Sequence, residues 1–202
     1  CIEANIFNEK KLRELVSHAD VCINMIGILY EKGKFNTFKI IHSDFPYLLS
    51  KICKELKIKQ FIHLSSLGVD KVKDSEYAKS KLEGEVNIKN NFSNSVILRP
   101  SVVYSVDDNF TTNLMTLLNR MPFFPVYYKG DTKFMPIHVS DLTEIIYQVI
   151  DKKINSMTIE CIGSEVITFK EILKKLLKLV NKKRIIIPLP LFIAKLSAKI
   201  LQ

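Results

Sequence analysis

Three short apolar runs, residues 21–26, 61–64 and 96–98, constrain this chain more than any other feature of its sequence. Each is too short for a helix and lacks the alternation of a half-exposed strand. They end in Gly27, in the pair Ser65-Ser66 and in Arg99-Pro100. Runs of this kind are strands buried on both faces, which parallel sheets produce because helices cover both sides. The segments between them carry helical periodicity. Leu12, Leu15, Val16 and Ala19 follow the cap candidate Asn8, while Ile41, Phe45, Leu49, Ile52 and Leu56 follow Phe38, with Pro46 as a kink or first turn. Residues 75–89 form a further helix. This alternation predicts an α/β fold with a parallel sheet and right-handed crossovers.

Beyond Pro100 the rhythm loosens. Residues 110–121 read as a helix, Pro122 to Pro125 as a break, 135–139 as a short strand before a helix at 141–150, and 157–162 as one more strand. Thr168 and Glu171 form a capping box that opens an amphipathic helix, with Ile172, Leu173, Leu176 and Leu177 on one stripe and lysines opposite.

At 202 residues and 47% apolar content the chain is long enough for a sizeable core. No stretch approaches the ~18 consecutive apolar residues of a spanning helix. Cysteines 1, 22, 53 and 161 form no CxxC pair and no metal-like spacing with the histidines, so no metal site is expected. Cys22 and Cys53 lie in apolar runs as free thiols, which points to a reducing, intracellular compartment. The formal charge of +9 is concentrated at one end, where residues 170–202 hold nine Lys or Arg against Glu171 alone. From Pro188 to Gln202, Leu191, Phe192, Ile193, Leu196, Ile200 and Leu201 surround Lys195 and Lys199. That pattern fits peripheral contact with an anionic membrane, docking to an acidic partner, or burial in the chain's own domain. Nucleic acid is not the expected partner.

One motif carries chemistry. In Tyr77-Ala78-Lys79-Ser80-Lys81, Tyr77 and Lys81 stand one helical turn apart and face the same way, so the ammonium favours the ionised phenol. A hydroxyl from Ser65 or Ser66 would hold a substrate oxygen beside that phenol while a proton moves. The spacing alone is weak, and its place after a serine-ending strand is what raises it. The other polar residues have plainer readings. His63 alternates with buried positions as a satisfied core histidine, and His138 reads as structural. Asp141 reads as a helix cap or first turn. Arg99 either touches a phosphate or pins a loop. Phe123, Phe124, Tyr127 and Tyr128 either line a substrate side or simply pack.

At these residues the chain resembles the extended or atypical short-chain dehydrogenase/reductases, the NAD-dependent epimerase/dehydratase group. Asn24-Met25-Ile26-Gly27 resembles the loop lying over the cofactor, Leu64-Ser65-Ser66 the serine strand, Tyr77 and Lys81 the catalytic pair, and Pro100-Ser101 with Val103-Tyr104 the segment bordering nicotinamide. Asn5-Ile6 resembles the end of the strand near adenine. Further segments, Ser65-Ser66-Leu67-Gly68-Val69, Asp108-Asn109-Phe110 and Pro136-Ile137-His138-Val139-Ser140-Asp141, resemble the 39 kDa (alpha 9) subunits of NADH:ubiquinone oxidoreductase and their bacterial relatives.

The resemblance implies a Rossmann-like doubly wound parallel sheet and a bound NAD(P), NADH or NADPH undecided. Its catalytic candidates are Ser65, Ser66, Tyr77 and Lys81. Its cofactor candidates are Asn5, Ile6, Asn24, Met25, Ile26, Gly27, Leu64, Ser65, Tyr77, Lys81, Pro100, Ser101 and Val103. Residues 1–105 would be the later portion of the nucleotide-binding domain and 106–202 a smaller, interleaved C-terminal part. The glycine-rich turn of such domains is absent from these residues, so about two N-terminal βα units are expected upstream. Position 42, often Asn in relatives, is His, and Ser105 replaces a common glycine. The implied role is a largely structural nucleotide site among respiratory complex I subunits. Such a protein would be cytoplasmic, or on the mitochondrial matrix side and peripheral to the inner membrane. The alternatives are an active NAD(P)-dependent reductase, epimerase or dehydratase, and a redox-sensing regulator.

Overall fold

The computed structural model of the chain describes residues 2–190. In chain order the elements are α1 (Glu9–Val16), β1 (Val21–Asn24), a π-helical segment (Lys39–Asp44), α2 (Phe45–Glu55), β2 (Gln60–Leu64), α3 (Glu76–Asn91) and β3 (Val96–Pro100). They continue with β4 (Val103–Tyr104), α4 (Asn109–Arg120), β5 (Phe123–Val126), a 3-10 turn (Tyr127–Gly130), β6 (Lys133–Phe134) and β7 (Ile137–His138). α5 (Val139–Asp151), β8 (Met157–Cys161), β9 (Ile167–Thr168), α6 (Phe169–Leu179) and β10 (Ile185–Pro188) complete them. The chain divides into two compact units, one of residues 2–100 with 142–161 and the other of residues 101–141 with 162–190.

The first unit is the α/β part. Its sheet runs β1-β2-β3-β8, and every pairing is parallel. Phe61, Cys22 and Ile97 face α2 and α3 and close a core with Leu49, Ile52, Ile88 and Phe92. Gln60, pointing the other way, donates from Nε2 to the carbonyls of Val149 and Ile154 at the end of α5, so helices lie on both faces. This is the doubly wound arrangement that the three apolar runs predict.

Local departures from the sequence reading have physical reasons. The helix expected from Phe38 begins as a π-segment, with Phe45 N–H bonding Ile40 O. Pro46 at the start of α2 has no N–H to give the His42 carbonyl, so the regular ladder cannot run through this point. The first strand stops at Asn24, short of Ile26, because Asn24 turns the chain by accepting Ile26 N–H at Oδ1. Residues 122–125, expected as a break, instead contain β5, which pairs in parallel with β10, a strand that the sequence reading missed. Pro125 is tolerated because this sheet has only two strands and a proline can turn its missing donor outward. Strand 135–139 shrinks to Ile137–His138, since Val139 already belongs to α5.

In the second unit, α4 and α6 pack around Leu118, Phe124, Val126 and Leu173. The Thr168–Glu171 capping box forms as the sequence predicts. The closing apolar segment from Leu191 and residue Cys1 lie outside the described residues. Cys22, Cys53 and Cys161 are free and buried. Among the described residues, no helix is long and apolar enough to cross a membrane.

The strand and helix that frame the candidate site are joined by charge. Arg99 on β3 donates from Nε and Nη2 to the two carboxylate oxygens of Glu85 on α3, at 2.9 and 2.8 Å, and from Nη1 to Asp70 at 2.7 Å. The Glu85 side chain is 1% exposed and that of Arg99 10%. Of its two sequence readings, Arg99 therefore pins. Removing one partner leaves the other charge buried, so Glu85→Ala should destabilise the protein by about 3–5 kcal/mol. Glu85→Ala with Arg99→Met should recover most of that loss, as urea unfolding of the single and double variants would show.

Candidate functional site

α3 carries Tyr77, Lys81 and Glu85 at steps of four residues, a stripe running from half-exposed phenol to buried carboxylate. Ser75 caps the helix, accepting Ala78 N–H. Gly84 lies on the adjoining face, where a Cβ would stand 1.9 Å from the His42 carbonyl oxygen, so only glycine lets α3 approach the π-segment this closely. That approach buries Lys81 to 4% exposure.

Lys81 Nζ donates to the Leu64 carbonyl at 3.2 Å, at the end of β2. On its other side lies the loop after β1, where a Cβ on Gly27 would come within 3.1 Å of Nζ. Among the described residues no carboxylate bonds this ammonium; Glu85 acts only at a distance. Burial accordingly pushes Lys81 down to about 8, against a smaller upward pull from Glu85.

Two buried histidines accompany it. His63 Nδ1 receives the amide of Asn24 at 3.1 Å, an orientation fixed because Asn24 Oδ1 already accepts Ile26 N–H. The proton of His63 then sits on Nε2, which has no partner among the described residues. His63 is thus a core histidine as expected, but only half satisfied. Burial, then the Lys81 and His42 charges, push it down to about 3, so it is no base at neutral pH. His42 is also fully buried, and burial followed by Lys81 pushes it down to about 4.

The residues expected from the sequence fall into three groups. Asn24, Gly27, Leu64 and Lys81 lie at or beside the ends of β1 and β2, as just described, Met25 and Ile26 expose their side chains on the same loop, and Tyr77 packs edge-on against His42 at 5.2 Å and Phe38 at 5.7 Å. Ser65 is buried there with an unpartnered Oγ, while Ser66 is half-buried. Pro100 ends β3, and Ser101 and Val103 belong to the second unit. Asn5 and Ile6 lie apart from any strand, in the turn before α1. Asn5 accepts Phe7 N–H, and Ile6 packs against the core.

A nicotinamide nucleotide presents ribose hydroxyls and carboxamide groups. The unpartnered Ser65 Oγ and His63 Nε2, with an ammonium bonded to a single carbonyl, are complementary to such polar groups, so the residues present fit it.

The second unit has its own cavity of about 320 Å³, which the sequence reading did not find. Tyr104, Thr111, His138, Asp141, Glu165 and Lys175 line it. Tyr104 meets His138 edge to face at 5.2 Å, His138 Nδ1 bonds Ser140 Oγ at 2.7 Å, and Lys175 pairs with Glu165 at 3.0 Å. Gly163 admits the close approach, since a Cβ there would stand 1.8 Å from the Pro136 carbonyl oxygen. The aromatic cluster weighed as a substrate side does not line this cavity: Phe124 packs in the core beside Phe169.

Residues 71–186 match the model of the RmlD substrate binding domain. Over all 202 residues the chain is 26% identical to the mitochondrial NADH-ubiquinone oxidoreductase 40 kDa subunit of Neurospora crassa, covering 52% of it. Over 195 residues, 95% of the chain, it is 25% identical to the mitochondrial NADH dehydrogenase [ubiquinone] 1 alpha subcomplex subunit 9 of Mus musculus, covering 51%. The chain thus spans about half the length of these curated relatives. In fold it is similar to UDP-glucuronic acid 4-epimerase of Bacillus cereus, solved with UDP-glucuronic acid and NAD. That likeness has a TM-score of 0.79 at 22% identity and covers 93% of this chain and 68% of that one.

The buried ammonium has a measurable signature. Lys81 has a lower pKa folded than unfolded, so between about pH 8 and its ordinary value of 10.5 the unfolded state binds more protons and stability rises with pH. Wild type should gain about 3 kcal/mol relative to Lys81→Met across that window, read from urea midpoints near its two ends.

Proposed function

This chain belongs to the family of the RmlD substrate binding domain, and on that premise we propose that it holds a nicotinamide nucleotide in a largely structural role. The protein would be a subunit like the 39–40 kDa subunits of NADH:ubiquinone oxidoreductase. One observation carries the reading: a buried lysine with a single carbonyl partner, flanked by a serine and a histidine that each leave a polar atom unpartnered. Unligated, that set is a standing desolvation penalty; a ligand with hydroxyl and amide groups relieves it.

In this role Lys81 would hold the ribose and Ser65 would meet the carboxamide side, while the loop of Asn24, Met25, Ile26 and Gly27 would cover the nucleotide. A bound nicotinamide nucleotide supplies hydride-transfer capacity. The chain's own contribution is to fix it and to exclude water. The same likeness supports placement in mitochondria, among complex I subunits; a position on the matrix side with peripheral membrane contact is our extension of it, argued for the membrane only from the basic C-terminal residues.

A catalytic reading is favoured by one observation. Tyr77 shares its helix stripe with Lys81, and its hydroxyl has no hydrogen-bond partner among the described residues, so it is available to give or take a proton. Reduction or epimerisation of a carbonyl or sugar-nucleotide substrate would then run through Tyr77, oriented by Lys81, with Ser65 or Ser66 on the substrate oxygen.

Two substitutions separate these readings. In the structural role, Tyr77→Phe should leave NADH or NADPH affinity within about twofold, whereas Lys81→Met, losing a charged donor, should weaken it about tenfold or more. Fluorescence titration and the mass of nucleotide retained on purification measure both. Hydride transfer to a carbonyl compound by wild type that disappears in Tyr77→Phe would establish the catalytic reading instead.

A further inference from the structure

The loop after β1 has no regular structure from Met25 onward, yet it stands against Lys81 at the distance set by Gly27. Two of its amides are held by side chains: Ile26 N–H by Asn24 Oδ1 at 3.1 Å, and Ile28 N–H by His42 Nε2 at 3.0 Å. Asn24 belongs to the strand that feeds the loop. His42 comes from a different element, the π-segment, so its bond is a cross-brace.

The bonds around His42 fix its tautomer. Nε2 accepts from Ile28, so in the neutral ring the proton is on Nδ1. Ser80 Oγ gives its own hydrogen to the Tyr77 carbonyl at 2.9 Å and is left as an acceptor for Nδ1–H at 3.0 Å. One imidazole thus joins the loop to the first turns of α3, where Tyr77 and Lys81 sit. Its plane is set by Phe38, stacked at 5.5 Å, and by Tyr77, edge-on at 5.2 Å. Its backbone is set by Gly84. The ring is held by these contacts, and its two hydrogen bonds lead to the loop at Ile28 and to α3 at Ser80.

We propose that His42 is a positioning residue: as the neutral Nδ1–H tautomer it pins the Ile28 backbone to helix α3 and holds the Gly27 turn closed over Lys81, so that the ammonium meets nucleotide in one place. The nucleotide half of this statement rests on the binding reading above; the pinning half does not.

Glutamine and asparagine divide the two contacts of the ring. The Oε1 of Gln lies near the position of Nε2 and can accept from Ile28, whereas the side chain of Asn ends near the position of Nδ1 and cannot reach the loop. In the 202-residue chain without nucleotide, nitrogen chemical shifts should place the wild-type proton on Nδ1. Exchange at the Ile28 amide should be slowed at least about tenfold in wild type and His42→Gln, and released in His42→Asn. Titrated with NADH and with NADPH, His42→Gln should bind within about twofold of wild type and His42→Asn about fivefold to tenfold more weakly.

A proton on Nε2 of wild-type His42, or unprotected exchange at Ile28 in wild type, would overturn the pinning even if neither variant folds. Equal affinities in the two variants would overturn the positioning of Lys81. Binding of neither nucleotide by wild type, with Ile28 still protected, would overturn the binding reading and leave the pinning standing.

Discussion

The close approach of α3 to the π-segment is the constraint on which the site depends. Gly84 allows it, because any side chain there would strike the His42 carbonyl. The π-turn provides the surface approached, because Pro46 cannot continue the ladder back through residue 42. From this contact follow the burial of His42 and Ser80, the bond between them, and the burial of Lys81 one residue further along the helix. A β-carbon at position 84 would lift α3 from the layer beneath it and return Lys81 to water.

Two cations are buried against helix α3, Lys81 on the helix itself and Arg99 from β3, and their treatment differs. Arg99 is matched donor for acceptor by Glu85 and Asp70, a forked geometry that satisfies both sides. Its guanidinium is held well above its ordinary pKa by the Glu85 hydrogen bonds, despite burial. Lys81, one turn before Glu85, is burdened with desolvation and bonded to one carbonyl, and its pKa falls. The first cation is a structural joint between β3 and α3. The second is bonded to a single backbone carbonyl and to no carboxylate among the described residues.

Much of this was legible in the sequence, and what was not has identifiable causes. The strands at 60–64 and 96–100 were legible because burial on both faces removes alternation and leaves a continuous apolar run. Tyr77 and Lys81 were legible as a helical pair, and the same four-residue step reaches Glu85, whose partner on β3 no local pattern could give. β5 and β10 were obscured by Pro125 and Pro188, because proline reads as a breaker wherever the number of strands in the sheet is unknown. His42 was visible as a substitution, but its role depends on Ile28 and Ser80, fourteen and thirty-eight residues away. The cavity of the second unit draws on β4, α4, β7, α5 and α6, and its residues share no spacing.

A site of this kind links ligand binding to folding in a definite direction. Lys81 desolvated with one acceptor, Ser65 and His63 with unpartnered atoms, and a loop exposing Met25 and Leu29 all weigh against the unligated state. Each of these penalties would be lifted by a ligand bearing hydroxyl acceptors, amide groups and an apolar face, and such a ligand would stabilise the fold with the logarithm of its concentration over its dissociation constant. Net oxidation or reduction requires the nucleotide to exchange, and release restores every one of those penalties at once, whereas an epimerisation, which returns the hydride, keeps its nucleotide. A nucleotide that stays bound avoids this, and the neutral, fully bonded His42 adds no group that titrates near neutral pH to open the loop. These penalties therefore favour retention over exchange in the proposed site, the property that a structural nucleotide needs and that a site for net reduction must moderate.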